Sequence, residues 1–247
     1  MIMRHMVHDI RTEFALLYKK QDFVIDKSGV KTIEIMNANF IADYPLIFGA
    51  VNDEYVRKEL NWYLDMSLNV YDIEGEPPQI WKQVADRNGV INSNYGWCIF
   101  SKDNNDQFYH AVTELEDRPD SRRAVMIYTR PTMWGDHNAN GRSDFMCTNA
   151  VQYLIREGKV HAVVQMRSND VVFGYRNDYA WQSFVLDAVI KELKRRGKPY
   201  DRGNIYWNVG SLHVYERHFY LIDHYIKTRQ THITKEEYDK LYAEAIV

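Results

Sequence analysis

Apolar positions recur at helical spacing early in the chain. Ile10, Phe14, Leu17 and Tyr18 fall at i, i+4, i+7 and i+8, which predicts a helix over Val7–Lys20. Phe23-Val24-Ile25 predicts a short strand, Asp26-Lys27-Ser28-Gly29 has turn chemistry, and Thr32-Ile33-Glu34-Ile35 resumes strand character. A second helix is expected from Val51 to Leu64, with Val51, Tyr55, Leu60, Trp62 and Tyr63 as its apolar surface and Glu59 beside those rings. Glu74-Gly75-Glu76-Pro77-Pro78 breaks the pattern. Ile80–Val84 opens another helix, which ends at Asp86-Arg87-Asn88-Gly89. Asn92–Gly96 is expected to be loop. Phe108–Leu115 reads as a helix stopped by Arg118-Pro119-Asp120, Ala124–Tyr128 as a strand, and Thr132–Ser143 as a polar loop.

In the second half, Cys147–Ile155 and Val160–Met166 form a hairpin pattern across Arg156-Glu157-Gly158-Lys159. Tyr179–Leu193 is a long apolar helix that would pack on the sheet, and Ile205–Val209 is a strand. His213–Tyr225 reads as a helix, although His213 and Tyr215 at a spacing of two would also suit a strand that shows both on one face. Thr234-Lys235-Glu236-Glu237 is a capping box opening a last helix. No repeat, low-complexity run or linker divides the chain. A single α+β domain over residues 1–247 is the expectation.

Composition narrows the function classes. The net charge of −3 over 247 residues provides no general basic field, so neither nucleic acid nor an anionic membrane is an expected partner. A phosphate would have to meet a local Arg or Lys cluster. Two cysteines cannot build a disulfide framework. The first residues lack the apolar core of a signal peptide, and no apolar run approaches the roughly 20 residues that span a bilayer. A cytoplasmic location is expected. Aromatic residues reach 14%, which suits either a large core or a site lined for flat ligands.

A few residue types in this pattern point to chemistry. A lone cysteine is most often a small buried hydrophobe, and Cys98, between Trp97 and Ile99, reads that way. Cys147 instead follows a polar loop at the mouth of a strand. A nucleophilic thiolate needs positive neighbours to fall below its ordinary pKa of about 8.5, and Arg167, near the same end of the hairpin, could supply one. Arg122-Arg123 and Arg167-Ser168 offer guanidinium forks that suit a phosphate dianion. His213 and Tyr215 suit a sugar hydroxyl. Asp178 stands near a helix start, where an acidic residue usually caps. No metal is expected. Asp136–Gly141 resembles the opening of a calcium loop, but the position of the bidentate Glu is Cys147. His213 and His218 are five apart, the wrong spacing for two ligands on one helical face.

Together these residues resemble the thymidylate synthase family. Glu59-Leu60-Asn61-Trp62-Tyr63-Leu64, Ile80-Trp81, Asn94-Tyr95-Gly96, Pro119-Asp120-Ser121-Arg122-Arg123, Cys147, Arg167-Ser168-Asn169-Asp170-Val171 with Gly174, and Gly210-Ser211-Leu212-His213-Val214-Tyr215 fall in family order and spacing. The chain is similar, above all, to the branch that bacteriophages use to replace cytosine in their DNA. The resemblance implies an α+β (α/β) fold with a large mixed β-sheet packed with helices, and a homodimer formed across the sheet. It also implies 5,10-methylenetetrahydrofolate as co-substrate. There are departures. Met146-Cys147-Thr148 stands where the family usually has Pro-Cys-His, Lys27 stands for an N-terminal phosphate-binding Arg, and Asp178 replaces the Asn that reads the uracil edge.

The last departure has a direct chemical reading. Uracil presents an N3–H donor and an O4 acceptor, which match an amide. Cytosine presents an N3 acceptor and an N4 amino donor, and a carboxylate accepts from N4. Asp178 therefore points to dCMP, and a site built for one pattern can reject the other by roughly 10⁴ or more. The resemblance then implies addition of Cys147 to C6, one-carbon transfer to C5, and closure by water to give 5-hydroxymethyl-dCMP and tetrahydrofolate. Reductive methylation of dUMP or dCMP is the alternative. It further implies that Glu59 organises water and proton transfer, that Arg167, Ser168 and Lys27 bind phosphate, and that Arg122 and Arg123 reach the partner subunit's phosphate. His213 and Tyr215 hold the deoxyribose, and Trp81, Asp170 and Glu59 face the folate. Glu59, beside apolar rings, is expected to have a raised pKa. Association with other nucleotide-metabolism enzymes is left open.

Overall fold

A computed structural model of the chain describes residues 5–26 and 29–243. Lys27, expected at the phosphate, lies outside them. Six strands form one sheet in the order β1-β2-β6-β5-β4-β3: β1 (Val24–Ile25), β2 (Lys31–Ile41), β3 (Val125–Ile127), β4 (Thr148–Arg156), β5 (Lys159–Asp170) and β6 (Asp201–Tyr215). The β4–β5 hairpin turns through Glu157 at φ 52° and Gly158 at φ 71°, the pair of positive φ angles a two-residue hairpin loop requires. Gly203 lies against Val160 and His161, and Gly210 against Arg167, so β5 and β6 run in the same direction. Their crossover is helix α7 (Gly174–Arg195), and the sheet is mixed.

Strands β2 and β6 are both longer than their patterns suggest. Asn37 and Asn39 interrupt the apolar alternation of β2, yet its backbone continues to pair antiparallel with β6. Met36 meets Ser211 and Ala38 meets Val209 in one unbroken register, with Asn37 between them at φ 55°. Strand β6 runs on through His213 to Tyr215, so the helix expected from His213 begins only at Phe219, as α8 (Phe219–Thr228). The strand alternative for His213 and Tyr215 is the one realised.

The chain folds as two compact units. The first comprises residues 1–51, 167–180 and 206–247. Its helix α1 (Val7–Lys20) buries Val7, Ile10, Phe14 and Ala15 as the spacing predicts, and its first turn is held by Asp43, whose Oδ1 accepts from the Val7 N–H at 2.9 Å. Tyr175 stands edge-on to the buried Trp207, ring centroids 5.2 Å apart. Helix α9 (Lys235–Ala243) opens with the expected capping box, in which the Glu237 N–H donates to Thr234 Oγ1 at 3.2 Å and the Thr234 N–H to Glu237 Oε2 at 3.0 Å.

The second unit comprises residues 52–166 and 181–205. It holds α2 (Asp53–Leu64), α3 (Gln79–Val84), α4 (Tyr95–Phe100), α5 (Gln107–Asp117) and α6 (Met133–Asp136). Here the aromatic content is core: Trp181 is fully buried against Tyr63 and Tyr95, and its indole donates to the Tyr128 hydroxyl at 3.0 Å. Two expected loops contain helices. The Asn94 side chain accepts from the Trp97 N–H and starts α4 at Tyr95, and the 132–143 loop contains α6. Gly96 is required where α4 meets α2, since a Cβ there would stand 1.7 Å from the Tyr63 carbonyl oxygen. Among the described residues, no helix is long and apolar enough to cross a membrane.

Candidate active site

Each unit carries one set of the candidate residues. In the second, Cys147 immediately precedes β4 and is half-buried, with its Sγ 3.9 Å from the Phe145 carbonyl oxygen. The segment around it is tied down on both sides. Before it, buried Asp144 accepts through Oδ2 from the N–H groups of Asn92 (2.6 Å) and Ser93 (2.8 Å), and through Oδ1 from the Ser93 hydroxyl (2.6 Å). After it, the Thr148 hydroxyl donates to Tyr95 at 3.0 Å. Burial pushes the Asp144 carboxyl up, against the lowering effect of these bonds and of Arg142. Arg142 itself bonds Asn92 Oδ1 at 2.5 Å. Cys98 is the inert thiol expected, buried and pushed up to about 12 by desolvation.

Glu59 lies on α2 with only 5% of its surface exposed. The Tyr55 hydroxyl, one turn earlier, donates to its Oε1, and the Trp81 indole N–H lies 3.2 Å from that same oxygen and 3.1 Å from the Tyr55 oxygen. A carboxylate oxygen with two donors on it is set up as an acceptor. Tyr55 is a member of this cluster that the sequence did not single out. Its four-residue spacing from Glu59 was the available signal. Trp81 also packs edge-on against Trp62, centroids 5.2 Å apart.

The paired arginines have different surroundings. Arg123 donates to Glu114 Oε1 through Nε (3.1 Å) and Nη2 (2.9 Å). Ser121 and Arg123 together hold that carboxyl below the ordinary range. Arg122 is exposed and, among the described residues, makes no ion pair.

In the first unit, Asp178 is half-buried on α7, one turn inside the helix. It is not the cap. That job belongs to Asp170, whose carboxylate accepts from the N–H groups of Val172 (3.3 Å), Phe173 (3.0 Å) and Gly174 (3.4 Å). Asp178 Oδ2 instead accepts from the Asn169 amide at 2.7 Å, and Asn169 Oδ1 accepts from the Trp207 indole at 3.3 Å. Asn169, 3% exposed, also escaped singling out, since its place beside Asp178 depends on the turn from β5 into α7. Arg167 is exposed and Ser168 half-buried at the end of β5. His213 and Tyr215 share a face of β6 with ring centroids 5.0 Å apart. His218 is buried edge-on to Phe173, and burial, partly opposed by Asp170, lowers its pKa. Among the described residues there is no cluster of three or more His, Cys, Asp or Glu that could hold a metal.

Comparison with known proteins follows the same lines. The sequence model of the family described as thymidylate synthase matches residues 18–242. A protein of Enterobacteria phage T4 named deoxycytidylate 5-hydroxymethyltransferase is 59% identical over 239 residues, covering 96% of this chain and 97% of that protein. Its counterpart from phage T6 is 60% identical over 235 residues, 94% of this chain and 95% of that one. A thymidylate synthase of Bacillus subtilis subsp. natto is 29% identical over 65% of this chain and 57% of its own. Among solved structures, the thermostable thymidylate synthase A of Bacillus subtilis has the same fold, with a TM-score of 0.65 at 21% identity over 89% of this chain and 84% of that one.

Proposed function

The chain belongs to the thymidylate synthase family, and we propose that its reaction is hydroxymethylation of dCMP at C5. The observation that carries this reading is a carboxylate at Asp178, held by Asn169 in the role of hydrogen-bond acceptor. Cytosine N4 needs such an acceptor, and uracil O4 does not. The phage proteins at 59–60% identity, matched over nearly their whole length, carry the name of this activity.

Cytosine C5 is a weak nucleophile. Addition of the Cys147 thiolate to C6 breaks the ring's aromaticity and places electron density at C5, the advantage of covalent catalysis. Bound 5,10-methylenetetrahydrofolate supplies a one-carbon unit at the oxidation level of formaldehyde. Half-buried Trp81 and the adjacent Ile80, 59% exposed, fit a flat apolar ligand of that type. Asp178 accepts from N4 and stabilises the protonated form of N3, which balances the negative charge that the thiolate brings to the base as sulfur adds. Glu59, with Oε1 fixed by Tyr55 and Trp81, orders the water that closes the reaction and takes its proton. Loss of the C5 proton and of unoxidised tetrahydrofolate leaves the methylene that this water attacks, and departure of the Cys147 sulfur then restores the ring.

Arg167 and Ser168, with Lys27, bind the 5′-phosphate, and His213 and Tyr215 the deoxyribose hydroxyl. Asp170, as the α7 cap, fixes the turn that carries Asn169 and faces the folate. We read the protein as a homodimer in which Arg122 and Arg123 serve the partner's phosphate, with exposed Arg122 making the primary contact because Arg123 is engaged by Glu114. The family match runs through both compact units, which supports one catalytic domain. The phage relatives support a phage enzyme working in the host cytoplasm.

The test is product analysis after incubation with 5,10-methylenetetrahydrofolate and either dCMP or dUMP. Mass spectrometry should find 5-hydroxymethyl-dCMP, with no rise in dihydrofolate absorbance. A 5-methyl product with dihydrofolate, or turnover of dUMP in preference to dCMP, contradicts the proposal.

A further inference from the structure

The orientation of the Asn169 amide is settled by its neighbours. An indole N–H only donates, so the Asn169 atom that meets Trp207 Nε1 at 3.3 Å is the carbonyl oxygen. The amide nitrogen then faces Asp178 and donates to its Oδ2 at 2.7 Å. An amide donor on Oδ2 is matched by an ionised carboxylate, both of whose oxygens accept. The Trp207–Asn169 end of the relay is buried. Trp207 is fully buried against Tyr175, Asn169 is buried at the end of β5, and Gly174 closes the remaining side. A Cβ at Gly174 would stand 3.0 Å from Asn169 Nδ2 and 3.9 Å from Asp178 Oδ2. A buried amide at the end of a core strand is costly unless its groups are paired, and an apolar residue would be the default there. Here both of its polar atoms are paired within the relay, and one of them presses on the residue that reads the base.

We infer that Asn169, fixed by Trp207 and Gly174, is a specificity-determining positioning residue: it holds Asp178 as an acceptor through Oδ2 and so sets the site for a base edge that donates an amino group. This rests on the dCMP reading and deepens it. Asp178 supplies the carboxylate, and Asn169 decides in which hydrogen-bonding state that carboxylate meets the substrate. Without the amide, Oδ2 loses this donor and can itself carry a proton. A protonated Asp178 donates as readily as it accepts, and discrimination against a carbonyl edge falls.

The experiment compares kcat/KM for dCMP and dUMP, with pH profiles, in wild type, Asn169→Ala, Asn169→Asp, Trp207→Phe and Asp178→Asn. In Asn169→Ala, dCMP turnover should fall about tenfold to a hundredfold, as for loss of a hydrogen bond to a charged group, with dUMP much less affected. Trp207→Phe keeps the buried ring but removes the N–H that orients the amide, and should narrow the dCMP-to-dUMP ratio less. Asn169→Asp places two carboxyl groups together, which share one proton. While that proton is held, the introduced carboxyl donates as the amide did. Activity should therefore fall as pH rises through loss of the shared proton, a limb absent from wild type. Should Asn169→Ala not fold, the other two variants carry the test. An unchanged nucleotide ratio in Asn169→Ala and Trp207→Phe, or a wild-type pH profile in Asn169→Asp, overturns the inference alone. If wild type does not turn over dCMP, or Asp178→Asn leaves the preference unchanged, the base-reading proposal fails and this inference with it.

Discussion

The Tyr55 hydroxyl donates to the Glu59 carboxylate across one turn of α2, and the Trp81 indole bridges the two oxygens. Glu59 is therefore presented as an acceptor, the state a base for water needs. Tyr55→Phe removes one donor and leaves the ring in place. We expect kcat to fall about tenfold, the scale of one charge-assisted hydrogen bond, with KM for dCMP nearly unchanged. Release of the C5 proton, followed with tritiated dCMP, should exceed product formation if the lost bond serves the closing water step. Wild-type kcat would show that Tyr55 only packs.

The two thiols should behave differently. Cys98 is buried and pushed up to about 12, whereas Cys147 is half-buried at the end of a polar segment. Alkylation of the native protein at neutral pH, located by peptide mass, should label Cys147 and spare Cys98. Bound dCMP should slow the labelling, and Cys147→Ala should abolish turnover while the protein still binds dCMP. Labelling of Cys98 first would contradict the assignment.

Asp144 ties the Cys147 segment to Asn92 and Ser93. Its folded-state pKa is raised by burial, so the folded protein prefers the protonated form more than the unfolded chain does. Its contribution to stability is fully present below the ordinary carboxylate pKa of about 4 and is lost as pH rises through the raised folded value. Asp144→Asn still accepts from both N–H groups and should flatten that part of the pH–stability curve, measured by urea unfolding. Asp144→Ala strands buried donors and should cost about 3 kcal/mol. A curve for Asp144→Asn with the wild-type slope would refute the sign.

A shared site across a homodimer is tested by mixing two inactive proteins. Cys147→Ala supplies an intact Arg122, and Arg122→Ala supplies an intact Cys147. If the arginine acts on the partner's substrate, random mixing after subunit exchange restores about a quarter of the wild-type sites. No recovery, with subunit exchange confirmed, means that each subunit uses its own arginine.

Much of the fold was legible because its signals are local. The spacing of Ile10, Phe14 and Leu17 marks α1, and the Thr234–Glu237 box marks α9. What misled was polar residues in paired backbone. Asn37 and Asn39 hid the second half of β2, whose partner β6 lies far along the chain. The candidate site was legible as a set of residue types in family order, including the Asp178 departure. Its supporting contacts were not. Asn169 meets Asp178, Trp207 meets Asn169, and Asp144 meets Ser93 only after long-range folding. The cap expected of Asp178 fell to Asp170, because the turn into α7 comes earlier than the apolar pattern suggests.

The most direct test of the choice of base is the ratio of kcat/KM for dCMP to that for dUMP in wild type and in Asp178→Asn. The wild-type ratio should favour dCMP by roughly 10⁴, and the variant should lose dCMP activity and gain relative acceptance of dUMP. The same ratio in both proteins would contradict the claim that the Asp178 carboxylate selects cytosine.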